Sequence, residues 1–118
     1  MTDQVFFIPA VRLAEAQAAN GGAAYQYLFT WESHAFGGRL KATHALEIPF
    51  VFNNLGRAGV DIFLGPGALP QALADAMHAA WIAFIGTGDP SCDAVGDWPA
   101  YCLDHRAVME FGNQVGLR

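Results

Sequence analysis

Residues 24–31 read AYQYLFTW, and every second position carries an aromatic side chain: Tyr25, Tyr27, Phe29 and Trp31. A period of two in aromatic and β-branched residues is typical of a β-strand. The residues between the aromatic ones are only partly polar, which predicts a strand that is covered on both faces. Four aromatic side chains on one face also indicate a thick layer packed against that face.

A helix is predicted on each side of this strand. Residues 5–19 are rich in helix formers, with Asp3 as a candidate N-cap, Pro9 in the first turn and Asn20-Gly21-Gly22 as the stop. Residues 71–85 form the clearer helix, because its large apolar residues recur at helical spacing and predict a core-facing stripe. These residues are Leu73, Met77, Ala80, Trp81 and Phe84.

The remaining chain predicts little regular structure. Residues 32–43 are expected to form a loop, 46–52 are a short apolar run broken by Pro49, and 53–70 are a long irregular stretch rich in glycine and proline. A last short strand is predicted over 107–111. The order helix, strand, loop, helix, short strand indicates an α/β protein with an incomplete sheet, because a lone strand cannot satisfy its own edges.

Composition limits the classes of partner. Hydrophobic residues make up 53% of the 118-residue chain and charged residues only 14%, below the usual quarter. This favours a surface covered by polypeptide outside the chain, although an oligomer or a sequence merely rich in Gly and Ala would also fit. A net charge of −5, with six scattered Lys and Arg residues, argues against nucleic acid.

The sequence predicts no membrane span, since no run of eighteen apolar residues occurs. The first ten residues, MTDQVFFIPA, lack the basic start of a signal peptide. A cytoplasmic location is therefore expected if the chain is complete, and the location is unknown if it is a piece. Cys92 and Cys102 could form a disulfide or remain reduced thiols. No cofactor is predicted.

His44 follows the loop after the aromatic strand, where α/β enzymes place functional groups. A histidine there can act as a general base, and it can equally be an ordinary loop histidine. A metal site is a third interpretation, with His34, His44, Glu47 and His78 as ligands. Pro49 and the loop composition argue against the helix that the His-x-x-Glu spacing would need, so no metal is predicted.

Residues 41–52 read KATHALEIPFVF. Together with the preceding aromatic strand and glycine-containing loop, they resemble the type-B carboxylesterases, a cholinesterase-like family of α/β-hydrolases. In that family an aromatic-rich strand leads to a loop with the triad histidine, in the pattern small residue, any residue, His, two residues, Glu and a run like IPFVF. The matching residues here are Ala42, His44, Glu47 and 48–52.

Four further stretches resemble the family in the same order. They are TDQVFFIPAVRLAEA (2–16), AMHAAWIAFIGTGDP (76–90), DWPAY (97–101) and RAVMEFG (106–112). The resemblance covers nearly the whole chain and implies that residues 1–118 are a C-terminal fragment of an α/β-hydrolase domain. The family usually has Gly where Lys41 stands, so the backbone of this loop is expected to differ.

The resemblance implies that His44 is the triad base and that Glu47 supports its loop rather than serving as the triad acid. Trp31, Trp81 and Phe84 are expected in the core. The nucleophile motif G-x-S-x-G is absent, and the acid would lie outside the chain by family order. Ser33 beside His34 is a poor substitute, because adjacent side chains diverge.

Two functions remain open. The first is the C-terminal part of a serine carboxylester hydrolase, inactive alone and restored by the missing N-terminal part, with a small carboxylic ester as substrate. The second is a non-enzymatic module derived from that fold, which forms a homo-oligomer or binds a partner. Whether the chain itself is an enzyme is therefore uncertain.

Overall fold

The computed structural model describes residues 7–118, and over this range the chain forms four α-helices and three β-strands. In chain order they are α1 (Ile8–Ala19), β1 (Gln26–Phe29), α2 (Ile48–Val51), α3 (Val60–Leu64), α4 (Gln71–Thr87), β2 (Val108–Phe111) and β3 (Val115–Leu117). A short 3-10 turn, Ala35–Gly38, lies between β1 and α2. None of the helices in the described range is long and apolar enough to cross a bilayer.

The strands form one mixed sheet in the order β1-β2-β3. β1 runs parallel to β2, with Gln26 opposite Val108, and β2 runs antiparallel to β3. The predicted strands are confirmed at both places, although β1 is four residues long rather than eight. β3 was not predicted, because three residues centred on Gly116 are too short to show a period.

The two long helices agree with their predicted ranges. Pro9 lies in the first turn of α1, and the helix ends at Asn20 before Gly21, whose φ is +80°. Asp3, the candidate N-cap, lies outside the described residues. α4 continues two residues beyond the predicted end and stops where Gly88 adopts a φ of +83°. Both stops use the freedom of glycine in the left-handed region.

Two segments predicted to be irregular contain short helices, and here the sequence interpretation was wrong. Pro49 lies in the first turn of α2 rather than interrupting an extended run. A proline is tolerated there because the amides of a first turn have no partner within the helix. α3 lies within the Gly- and Pro-rich stretch and is bounded by Gly59 and Gly65, with φ of +94° and +87°.

The core lies between one face of the sheet and the helices α2 and α4. Trp31 is buried as predicted. Trp81 and Phe84 are not: they are 36% and 40% exposed, which corrects their assignment to the core. Leu73, Met77 and Ala80 carry the buried stripe of α4. Trp81 and Phe84 lie toward the other end of the helix, beside the first strand of the sheet.

Candidate active-site loop

His44 is exposed and lies on the turn of residues 44–47, between the carboxyl end of β1 and the start of α2. Left-handed backbone flanks it on both sides, at Lys41 with a φ of +54° and at Ala45 with a φ of +69°. Such residues reverse the chain sharply. The turn therefore presents the imidazole at the surface, beyond the end of a parallel strand.

The residues that follow His44 anchor the turn in the core. Leu46 and Phe50 are both 0% exposed. The ring of Phe50 lies 4.9 Å from that of Phe29 and 5.4 Å from that of Trp31, measured between centroids. Because Phe29 is the last residue of β1, this contact ties the start of α2 to the end of the strand.

Ser33 fixes the other end of the loop. Its backbone N–H donates to the carbonyl of Lys41 at 3.0 Å, and its hydroxyl donates to the carbonyl of Phe63 at 2.6 Å. The hydroxyl also accepts the N–H of Ala35 at 3.0 Å. Ser33 is 1% exposed, so these bonds occupy its hydroxyl inside the protein. Its hydroxyl is structural, and the side chain of His34 is exposed, so the two diverge as expected.

A close backbone contact supports this arrangement. Gly65 packs so tightly on the main chain of His34 and Ala35 that a side chain at this position would overlap both. The N–H of His34 donates to the carbonyl of Leu64 at 2.9 Å. Only glycine allows this approach with a φ of +87°. The end of α3 therefore packs against the main chain of His34 and Ala35 and holds this part of the loop in place.

A polar cluster links Asn53, just after α2, to the start of α4, and no local sequence pattern predicts it. Gln71 donates to Asn53 at 2.7 Å and to Asp75 at 2.9 Å, and Asn53 donates to Asp75 at 3.0 Å. These hydrogen bonds, first that from Gln71 and then that from Asn53, lower the pKa of Asp75. Nearby, His78 donates through Nδ1 to the carbonyl of Val51 at 2.8 Å.

Glu47 caps the start of α2 through its main chain, since its carbonyl accepts the N–H groups of Phe50 and Val51 at 2.9 and 3.0 Å. Its side chain is half-buried. Burial raises the pKa of Tyr27, and the negative charge of Glu47 raises that pKa further. The carboxylate therefore lies close enough to the sheet to act on a residue of β1.

Lys41 occupies a left-handed conformation that glycine adopts without strain. The difference in loop backbone that was expected from the family pattern, which usually has Gly here, stays a prediction. Its side chain is exposed and lies 4.0 Å from Glu32, a contact that contributes little to stability.

The other groups considered from the sequence do not form a metal site within the part of the chain that the structure describes. No three His, Cys, Asp or Glu side chains of residues 7–118 come together as ligands. His34 Nδ1 lies 3.3 Å from the carbonyl of Pro66. Cys92 and Cys102 are both half-buried, and no disulfide joins them in this structure.

Residues 1–117 match the sequence model of the carboxylesterase family. The chain belongs to the carboxylesterase family. It is 36% identical to phenmedipham hydrolase of Pseudarthrobacter oxydans, over 95% of this chain and 23% of that protein. It is also 36% identical to para-nitrobenzyl esterase of Bacillus subtilis, over 99% of this chain and 23% of that protein.

Solved carboxylesterase structures agree with this assignment. The carboxylesterase of Geobacillus stearothermophilus superposes with a TM-score of 0.84 at 40% identity, over 100% of this chain and 24% of that one. The family resemblance predicted from the sequence is therefore confirmed, and the fold is part of a carboxylesterase α/β-hydrolase fold. The chain spans about a quarter of the length of these relatives. The roles of His44 and Glu47 stay predictions.

Proposed function

We propose that this chain supplies His44 as the general base of a serine carboxylester hydrolase. The proposal is supported by one observation: in a chain that matches the carboxylesterase family over residues 1–117, the exposed side chain of His44 lies on a turn beyond the carboxyl end of β1. The substrate would be a small carboxylic ester. The reaction would require the part of the domain that the chain does not span.

The chemistry follows from the imidazole. Neutral His44 would take the proton of a serine hydroxyl as the serine oxygen attacks the ester carbonyl, and the imidazolium would then protonate the leaving alcohol. Water would cleave the acyl-enzyme by the same route in reverse. A histidine suits both steps because its unperturbed pKa is close to neutrality.

Glu47 would serve as a positioning residue in this scheme. Its carbonyl accepts the first hydrogen bonds of α2, and its side chain is half-buried. The acid that orients the imidazole would come from outside the chain. Glu47→Gln in the complete domain is therefore expected to reduce activity far less than a change at His44.

The nucleophile must also come from elsewhere. The chain has two serines, Ser33 and Ser91, and neither lies in a G-x-S-x-G motif. Ser33 is buried, and the hydroxyl of Ser91 accepts the N–H of Trp98 at 2.9 Å. Because a triad acts as a unit, the chain alone is expected to show no His44-dependent hydrolysis.

The test joins this chain to the N-terminal three quarters of Bacillus subtilis para-nitrobenzyl esterase, in place of the matching quarter. We expect the joined protein to hydrolyse p-nitrophenyl acetate and His44→Ala to lower kcat by about 10⁴-fold or more. His34→Ala is the matched control, because His34 is an exposed loop histidine of the same chain. Full activity in His44→Ala would reject the proposal.

A homo-oligomeric binding module is the second candidate. It is favoured by the apolar side chains that α4 exposes: Trp81, Ile82, Phe84 and Ile85. Gel filtration of the chain separates the two functions. A discrete homo-oligomer, combined with no gain of hydrolysis on joining, would support the module.

A further inference from the structure

A short loop beyond the carboxyl end of β1 carries an exposed aromatic side chain. The loop, residues 34–40, is closed by an antiparallel bridge between Ser33 and Lys41. Phe36 lies in it with a φ of +51°, and its side chain is 68% exposed. Left-handed backbone is an outlier for a bulky residue, and strained residues of this kind are concentrated at functional sites. The loop therefore holds a large apolar ring in solvent at a cost in backbone strain.

Phe36 lines an open cleft of about 480 Å³ between this loop and α3. Ile62 and Leu69 are the other large apolar side chains of the cleft, and they are 69% and 45% exposed. Gly65 and Ala35 also line it, and their main chains pack directly on each other. The cleft has a volume typical of sites for small molecules, which are lined mainly by apolar side chains.

The charge of the cleft favours a neutral ligand. The described residues that line it include one charged side chain, Asp61, whose Oδ1 accepts the N–H of Gly59 at 3.2 Å. A negatively charged ligand, such as a free fatty acid, would be repelled by this carboxylate. The cleft therefore suits an uncharged alkyl or aryl group.

The bridge that closes the loop also limits its distance from His44. Lys41 precedes His44 by three positions. Three extended residues span at most about 11 Å, and the Cα atoms of bridge partners lie about 5 Å apart, so Ser33 lies within about 16 Å of His44. An alkyl chain of about eight carbons is roughly 10 Å long, given C–C bonds of about 1.5 Å. A substrate of ordinary size can therefore extend from His44 toward the cleft.

The chemistry of the imidazole decides which part of an ester this cleft receives. In the proposed reaction His44 protonates the leaving alcohol, so the alcohol oxygen must come within hydrogen-bond reach of the ring. The acyl carbon must instead face the serine, which lies outside this chain. Because the cleft adjoins the loop that leads to His44, the alcohol part is the nearer of the two groups of the ester.

We propose that Phe36, Ile62 and Leu69 bind the apolar alcohol part of a carboxylic ester and so select for esters of alkyl or aryl alcohols. Placing the alcohol chain against these side chains removes apolar surface of both from water. Phe36 would be a specificity residue, since it touches the leaving group but takes part in no proton transfer. The inference rests on the proposed function, because the occupant is the leaving group of that reaction.

Two isomeric esters test the cleft in the joined protein described above. Octyl acetate carries the long chain on its alcohol part, and ethyl octanoate carries it on its acyl part. Phe36→Asn removes the ring but keeps a residue that tolerates left-handed backbone. We expect it to lower kcat/KM for octyl acetate by about tenfold, as when about two methylene groups lose their apolar cover, and to leave ethyl octanoate within about twofold. Equal losses, or a larger loss for ethyl octanoate, would overturn the inference.

A matched pair of variants controls for the loss of an exposed apolar side chain. Ile62 lines the cleft and is 69% exposed, whereas Leu13 lies on α1 and is 72% exposed. We expect Ile62→Ser to lower kcat/KM for octyl acetate by about fivefold and Leu13→Ser to change it by less than about twofold. This pair decides the question if Phe36→Asn does not fold. Equal effects of the two variants would count against the cleft.

Calorimetric titration of the joined protein with 1-octanol separates the two proposals, because it measures binding without hydrolysis. Binding that Phe36→Asn weakens by about tenfold, together with no His44-dependent hydrolysis, would support the cleft and reject the proposed function. His44-dependent hydrolysis of both isomers without any loss in Phe36→Asn would do the reverse. The second result is also the one expected if the rest of the domain covers the cleft, and the inference then fails.

Discussion

The two halves of α4 lie in different surroundings. The first half holds buried Leu73, Ala74 and Met77, and it is hydrogen-bonded to Val51 of α2 through His78 and to Asn53 through Asp75. The second half exposes four large apolar side chains: Trp81, Ile82, Phe84 and Ile85. The first half of α4 is therefore packed against the segment that follows the His44 turn, whereas the apolar side chains of the second half are uncovered within residues 7–118.

Phe50→Ala should have the largest effect on stability. Phe50 lies in α2, which packs on α4, and it represents the buried region, whereas the second half of α4 is the exposed region. Phe50 is fully buried against Phe29 and Trp31, so its truncation leaves a cavity and is expected to lower the free energy of unfolding by about 3–5 kcal/mol. Phe84→Ala is the control and should cost much less, because Phe84 is 40% exposed. Urea unfolding followed by tryptophan fluorescence measures both, and equal losses would remove the distinction between the regions.

Ser33→Ala should have an intermediate effect. It leaves the carbonyl of Phe63 and the N–H of Ala35 without their buried partner, at an expected cost of about 1–3 kcal/mol. Thr87→Ala removes an exposed hydroxyl at the far end of α4 and is the comparison. If both variants unfold at the same urea concentration, Ser33 does not brace the loop.

Lys41→Gly should have the smallest effect and the opposite sign. A residue other than glycine in the left-handed conformation destabilises the folded chain by roughly 1–2 kcal/mol. Glycine removes this strain, but its greater conformational freedom in the unfolded state offsets part of the gain. We expect a net gain of about 0.5–1 kcal/mol in the free energy of unfolding. Arg39→Gly, at a φ of −70°, should instead destabilise the chain. A loss of stability in Lys41→Gly would mean that the conformation at this position is not strained.

Elements with a long or regular pattern could be predicted from the sequence. The alternating aromatic residues predicted β1, helix-forming residues with Pro9 and glycine at the ends predicted α1, and helical spacing predicted α4. The short elements α2, α3 and β3 were not predicted, because Pro49 and the nearby glycines indicated irregular chain at α2 and α3, and the three residues of β3 are too few to show a period. Their positions depend on buried contacts such as that of Phe50 with Trp31, which join distant parts of the chain.

The candidate site was predictable only as a motif. The pattern around His44 and Glu47 was visible in the sequence, but the supports of their turn were not. Ser33 and the Asn53, Gln71 and Asp75 cluster act through hydrogen bonds across 18 to 30 positions, and polar residues at such separations carry no local signal. Trp81 and Phe84 were wrongly assigned to the core, because helical spacing alone does not show whether another part of the protein packs against that side of the helix.

The pairing of β1 with β2 also has a consequence for the order of folding. The hydroxyl of Thr30 donates to Glu110 across 80 positions, and the main-chain ladder beside it joins residues as distant in sequence as Gln26 and Val108. Closing so long a segment is entropically slow. During synthesis the aromatic strand would emerge well before its β2 neighbour is translated. Until then, an early-folding chain must keep four aromatic side chains from associating with other molecules.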